Sequence, residues 1–131
     1  MRIITLVIVI VASLMGCTED YSALPQIPVD FSWPGKNVTE ISPAIILIAV
    51  PEGVKSFEIN MYDLTNRYDH GGGTVVNNGS GSIPEGALNK YQGPSPMYGS
   101  PRYELSVKAI DENDRVVAFG KKVRKYPPEA K

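Results

Sequence analysis

The chain has 131 residues but only one cysteine, one histidine and one tryptophan. With Cys17 alone no intrachain disulfide can form, so stability must come from packing. One histidine and one cysteine cannot build a His/Cys zinc site, and no run of carboxylates has calcium-loop spacing. An excess of charge is missing as well: 13 Lys and Arg stand against 14 Asp and Glu. Without a basic stripe, nucleic acid is excluded as a partner. No Lys-Ser or Lys-Thr follows the glycines at the Walker spacing, and neither Gly93-Pro94-Ser95-Pro96 nor Gly79-Ser80-Gly81 has the spacing of a nucleophile elbow. No enzyme, metal or cofactor is therefore expected. No internal repeat is evident, and no stretch beyond about ten residues keeps a helical period.

What is present begins with Met1-Arg2 and an apolar run from Ile3 to Val11, continued by Ala12-Ser13-Leu14-Met15-Gly16-Cys17. One positive charge, a short apolar core and small residues before a cysteine have the form of a secretory signal. The run is too short for a membrane-spanning helix. Leu14-Met15-Gly16-Cys17 resembles the bacterial lipobox, which implies acylation of Cys17 and removal of residues 1–16. Acyl chains at one residue give stable anchoring, since each buried methylene contributes about 0.8 kcal/mol. Thr18 after the cysteine favours the outer membrane by resemblance to sorted lipoproteins, with the domain periplasmic or surface-exposed. The segment 17–28, polar and carrying Pro25 and Pro28, is expected as a partly extended spacer. One domain, 29–127, and a short tail, 128–131, remain.

Within that domain the pattern is strand after strand. Val29 to Trp33 alternates and stops at Pro34-Gly35. Ala44 to Val50 is unbroken apolar, which predicts a strand covered on both faces. Ser56 to Asp63 alternates again, with Phe57, Ile59 and Met61 on one side. Thr74 to Val76 is a short strand candidate, and Asn77 to Ser82 is turn chemistry. Tyr91 to Tyr103 is irregular, with three prolines and two glycines. Tyr103 to Ile110 then alternates strictly with Tyr103, Leu105, Val107 and Ala109 inward, and Val116 to Val123 follows a turn. The fold class is mainly β, an antiparallel β-sandwich with little helix outside the signal peptide.

Chemistry concentrates between Met61 and Gly73. His70 can donate or accept a proton, and Asp69 or Asp63 is placed to fix one tautomer. A solvated or locally hydrogen-bonded histidine is the simpler alternative. Gly71, Gly72 and Gly73 suit a nest of backbone N–H groups facing an anion, or equally a bulge that only glycine can form. Tyr62, Tyr68, Tyr91, Tyr98 and Tyr103 either line an amphipathic pocket or sit at edges with wet hydroxyls.

In order along the chain, Ile41-Ser42-Pro43, Val50-Pro51-Glu52-Gly53-Val54-Lys55-Ser56-Phe57, Met61-Tyr62-Asp63, His70, Ile83-Pro84-Glu85-Gly86-Ala87, Gly93-Pro94-Ser95-Pro96 with Gly99, and Arg102-Tyr103 resemble the phosphatidylethanolamine-binding protein family. The likeness is to its bacterial branch and runs from about Asn37 to Tyr126. It implies a β-sandwich with a large antiparallel sheet and a small anion-binding pocket at one end. The family's pocket uses an aspartate, a histidine in the following strand and a second histidine before Arg-Tyr. Asp63 matches the first and His70 the second, whereas Pro101 stands where the second histidine would be. Leu64-Thr65-Asn66 departs from Pro-Asp, Gly71-Gly72-Gly73 replaces aromatic and aliphatic residues, and a helix before the last strand is absent.

The function expected on this reading is a lipid-anchored, non-enzymatic domain binding a small anion or phosphorylated head group. Asp63, His70, Gly71, Gly72, Gly73, Tyr98 and Tyr103 are the contacts. The alternative is an immunoglobulin-like structural or interaction module of the cell envelope, with an envelope protein as partner and no small-molecule site.

Overall fold

A computed structural model describes residues 20–128; the expected signal peptide, Cys17 and the tail beyond Pro128 lie outside the described residues. Eight strands run in chain order: β1 (Val29–Ser32), β2 (Ala44–Leu47), β3 (Val54–Asp63), β4 (Tyr68–Val76), β5 (Ser82–Ile83), β6 (Lys90–Tyr91), β7 (Arg102–Asp111) and β8 (Val116–Lys125). No helix occurs among the described residues. The strands form two antiparallel sheets, one ordered β1-β2-β5 and one ordered β6-β4-β3-β7-β8.

Period-2 alternation decides which side of each strand is buried. From the large sheet Phe57, Ile59, Met61, Leu105, Val107, Ala109 and Ala118 are buried, and from the small sheet Val29, Phe31, Ile45, Leu47 and Ile83 join them in one core. β3 is paired along its length on both sides, with Ile59 opposite Gly73 on one flank and Val107 on the other. The two sheets are also tied near the end of β1. Arg124 on β8 donates from Nε to the Phe31 carbonyl at 2.7 Å and pairs with the Asp30 carboxylate. The hydrogen bond from Arg124 Nη2 to Asp30 Oδ1 holds the Asp30 carboxyl below its usual range. Trp33 donates from Nε1 to the Lys125 carbonyl at 2.9 Å, closing the same end.

Three expectations need correction. The apolar run from Ala44 to Val50 is a strand only to Leu47, and it is covered on one face, not two. Ile46 and Ile48 are 55% and 57% exposed, because none of the described residues covers the outside of the small sheet there, and Ala49 turns the chain at φ 55°. The strand expected at Thr74 begins at Tyr68, so the three glycines are inside a strand and not in a turn. The spacer is docked from Tyr21 onward: Ile27 is buried in the core and bonds from its N–H to the Phe119 carbonyl at 2.8 Å.

Leu105 is fully buried at the centre of the core. Leu105→Ala is expected to cost about 2–5 kcal/mol in urea unfolding, since both transfer and cavity contributions are lost.

Candidate functional site

β3 ends at Asp63, and the chain returns through Leu64 to Arg67 into β4. The Asp63 carboxylate organises this turn. Its Oδ1 accepts from the N–H groups of Thr65 and Asn66, both at 2.8 Å, and its Oδ2 accepts from Asn66 Nδ2 at 2.9 Å. These three donors satisfy the carboxylate, which is only 3% exposed. The turn is pinned to β7 in both directions, by Leu64 N–H to the Arg102 carbonyl at 2.8 Å and by Arg102 N–H to Thr65 Oγ1 at 3.0 Å.

The strand that leaves the turn carries a β-bulge. Tyr62 is opposite Asp69 and Met61 is opposite Gly71, so His70 is the extra residue between two ladder positions. A bulge re-aims a side chain, and here it buries the imidazole. Gly71 makes it possible with φ 74°, and its N–H bonds to Asp69 Oδ1 at 2.8 Å. A Cβ on Gly71 would lie 2.1 Å from the Lys90 carbonyl oxygen, and one on Gly72 would lie 1.8 Å from that of Ile59. The glycines are thus needed by the backbone itself.

His70 is clamped to the segment after β6 at two points. Gln92 N–H donates to the His70 carbonyl at 2.9 Å, and His70 Nδ1 lies 2.7 Å from the Gln92 carbonyl oxygen. A carbonyl only accepts, so Nδ1 carries the proton and Nε2 is the ring nitrogen open to a ligand. Neither Asp69 nor Asp63 sets the tautomer. The ring also makes edge contacts with Tyr68 and Tyr103, with centroids 4.9 and 5.4 Å away. Tyr103 in turn touches Trp33, and Trp33 touches Phe31, so an aromatic chain runs from the core to the histidine.

Around His70 lies a cavity of about 510 Å³, bounded also by Asp63, Asn66, Tyr68, Gln92, Ser95, Met97, Tyr98 and Tyr103. Asp63, His70, Tyr98 and Tyr103 therefore share one concave site. Tyr103 is buried at its floor, whereas Tyr98, 84% exposed, stands at its mouth beside Met97. Burial, and then the Asp63 charge, push the Tyr103 hydroxyl up to about 12, so it remains a donor at neutral pH. Burial also raises Tyr91, whose hydroxyl is enclosed without a hydrogen-bond partner among the described residues. Among the described residues no lysine or arginine lines the cavity.

Gly71, Gly72 and Gly73 are not part of this site. They border a separate shallow groove on the outer face of the large sheet, with Glu58, Asn60, Thr74, Lys90, Ser106 and Lys108. As rungs of the β3 and β6 ladders they form no turn that could gather N–H groups into a nest. Pro101, at the position of the missing second histidine, is buried outside the lining and gives its carbonyl to Tyr126 N–H at 3.1 Å. Gln92, which orients His70, and Asn66, which holds Asp63, carry no signal in the sequence. Gln92 reaches His70 from 22 residues away, a contact that only folding creates, whereas Asn66 is three residues from Asp63 and acts within the turn.

No family model matches the chain, and no curated protein sequence matches it. Among solved structures it is similar to Escherichia coli YbcL, described as a new member of the mammalian PEBP family. The two share 17% sequence identity with a TM-score of 0.54, over 79% of this chain and 99% of that one. At that identity the likeness is one of fold. The protein has the two-sheet fold of phosphatidylethanolamine-binding proteins.

Two outcomes test this account. Gly71→Ala is expected to destabilise the domain by about 2 kcal/mol or more, against about 1 kcal/mol for Gly79→Ala. Gly79 has a similar φ of 82° but nothing within 4 Å of an added Cβ, so the difference isolates the close approach at the bulge. Separately, a phenol whose folded pKa is raised keeps its proton after the unfolded chain has lost it, so stability falls as pH rises from about 10 towards 12. Tyr103→Phe is expected to flatten part of that alkaline decline in thermal unfolding.

Proposed function

We propose that this protein is a non-enzymatic binding domain of the bacterial cell envelope, anchored through acylated Cys17 at the outer membrane. Its ligand is a small anion or a phosphorylated head group taken into the cavity at His70. The observation that carries the reading is the Nδ1–H bond of His70 to the Gln92 carbonyl, which leaves Nε2 available inside a 510 Å³ cavity. The Asp63 charge does not oppose an anion strongly, because three donors of its own turn already compensate it. The hydroxyls of Tyr103 and Ser95 line the same space and can complete the coordination.

Two features support binding rather than catalysis. Among the described residues no hydrogen bond joins Ser95 to His70, and the partner that orients the ring is a backbone carbonyl, not an acid. A nucleophile system needs both links.

Because Nδ1 already donates to Gln92, an anion at Nε2 is held through an imidazolium, and binding takes up a proton. A second reading is favoured by the lining itself: one carboxylate, three tyrosines and no lysine or arginine would also accept an ammonium group. That ligand requires no proton uptake. The two are separated by calorimetric titration of phosphate, acetate, phosphoethanolamine and tetramethylammonium in buffers of different ionisation enthalpy. Phosphate or acetate is expected to bind with proton uptake, and His70→Gln to weaken it about tenfold or more, the size of one charge-assisted hydrogen bond. If millimolar ligand shifts neither the His70 ring nor the Gln92 and Gly93 amides in NMR spectra, the cavity is not a binding site. The structural or interaction module without a small-molecule site would then be the better reading.

A further inference from the structure

The segment before β1 is a strap. Pro25 to Ile27 adds to the open edge of β8, where Phe119 N–H donates to the Pro25 carbonyl at 3.0 Å and Ile27 N–H donates to the Phe119 carbonyl at 2.8 Å. Ile27 then enters the core. In the other direction the strap folds over the sheet. Tyr21 stacks on the Phe119 ring with centroids 5.3 Å apart, and the Lys108 ammonium lies 5.2 Å from the Tyr21 ring centre. Gln26 Nε2 closes the strap on itself through the carbonyls of Tyr21 and Leu24, at 3.2 and 2.9 Å.

Lys108 lines the outer groove of the large sheet with Glu58 and Thr74, and Phe119 is its cross-strand partner. Cross-strand partners share a face, so Tyr21 lies on the outer face and the chain before it departs from there. Only Thr18, Glu19 and Asp20 separate Tyr21 from Cys17. Fully extended, those four steps reach about 14 Å.

We propose that the outer face of the five-stranded sheet lies on the phospholipid surface. The proposal rests on acylation of Cys17 and goes beyond it by fixing which face meets the bilayer. Because the strap from Tyr21 is fixed by a ring stack and edge hydrogen bonds, only three residues are left as tether, and their reach keeps the Tyr21 end of this face within about 14 Å of the anchor. Charge agrees with the placement. Lys90, Lys108 and Lys121 stand on this face against Glu58 and Glu104, and lysines near an anionic surface are attracted to it. The face is polar and indented at Gly72, which suits head groups and not acyl chains. His70 belongs to the inner side of the same sheet, so the cavity is kept off the lipid surface.

The test uses the acylated chain in vesicles of phosphatidylethanolamine and phosphatidylglycerol that carry a head-group nitroxide quencher. Acylated Cys17 does not react with a thiol dye, so Thr74→Cys on the outer face and Ser32→Cys on the small sheet can each be labelled alone. Loss of fluorescence at position 74 with little loss at 32 is expected. A flexible insertion between Asp20 and Tyr21 should erase the difference. Equal quenching at both positions, a stronger effect at 32, or a difference that survives the insertion overturns the proposal. A chain that never partitions into the vesicles ends the anchoring reading, and this one with it.

Discussion

Pairing of β3 on both flanks is the constraint from which the rest of the domain follows. Its backbone groups are bound to β4 and β7 over almost the whole strand, so its inward residues Phe57, Ile59 and Met61 have a fixed height in the core. Asp63 is the last residue of that strand, and its position at the edge of the cavity is set by the same register. Apolar burial supplies the driving force, at roughly 25 cal/mol per Å². The ladder decides where that burial happens.

The site exists because β4 departs from the ladder once. A strand that kept perfect alternation from Asp69 to Gly73 would have no extra residue, and the imidazole would take a different direction. The bulge at His70 needs a positive φ at the next residue, and the neighbouring Lys90 carbonyl leaves no space for a side chain there. The glycines thus serve the histidine through the backbone. They do so without touching the cavity.

Among the described residues the cavity is lined by an imidazole, hydroxyl-bearing side chains and the Asp63 carboxylate, with no lysine or arginine. Asp63 is hydrogen-bonded at both carboxylate oxygens by the turn that it organises. The aromatic chain from Phe31 through Trp33 and Tyr103 to His70 makes the floor part of the core, so the floor is as rigid as the packing behind it. The mouth, with Tyr98 and Met97 exposed, has no such backing.

The family resemblance implied that Asp63 and His70 share one pocket; alternation and turn chemistry in the sequence were enough for the β class and the inward residues of β3 and β7. They suffice there because side-chain period and strand geometry are the same regularity. The continuous run from Ala44 to Val50 was misleading, since apolar content does not say whether a sheet lies on the second face. Gly71 to Gly73 were ambiguous for a related reason: glycine fits a nest and a bulge alike, and the partner strand chooses. Only the tertiary structure decided the tautomer of His70, through a carbonyl 22 residues away, and the docking of Tyr21 on Phe119. Both depend on groups brought together by folding, which local sequence does not encode.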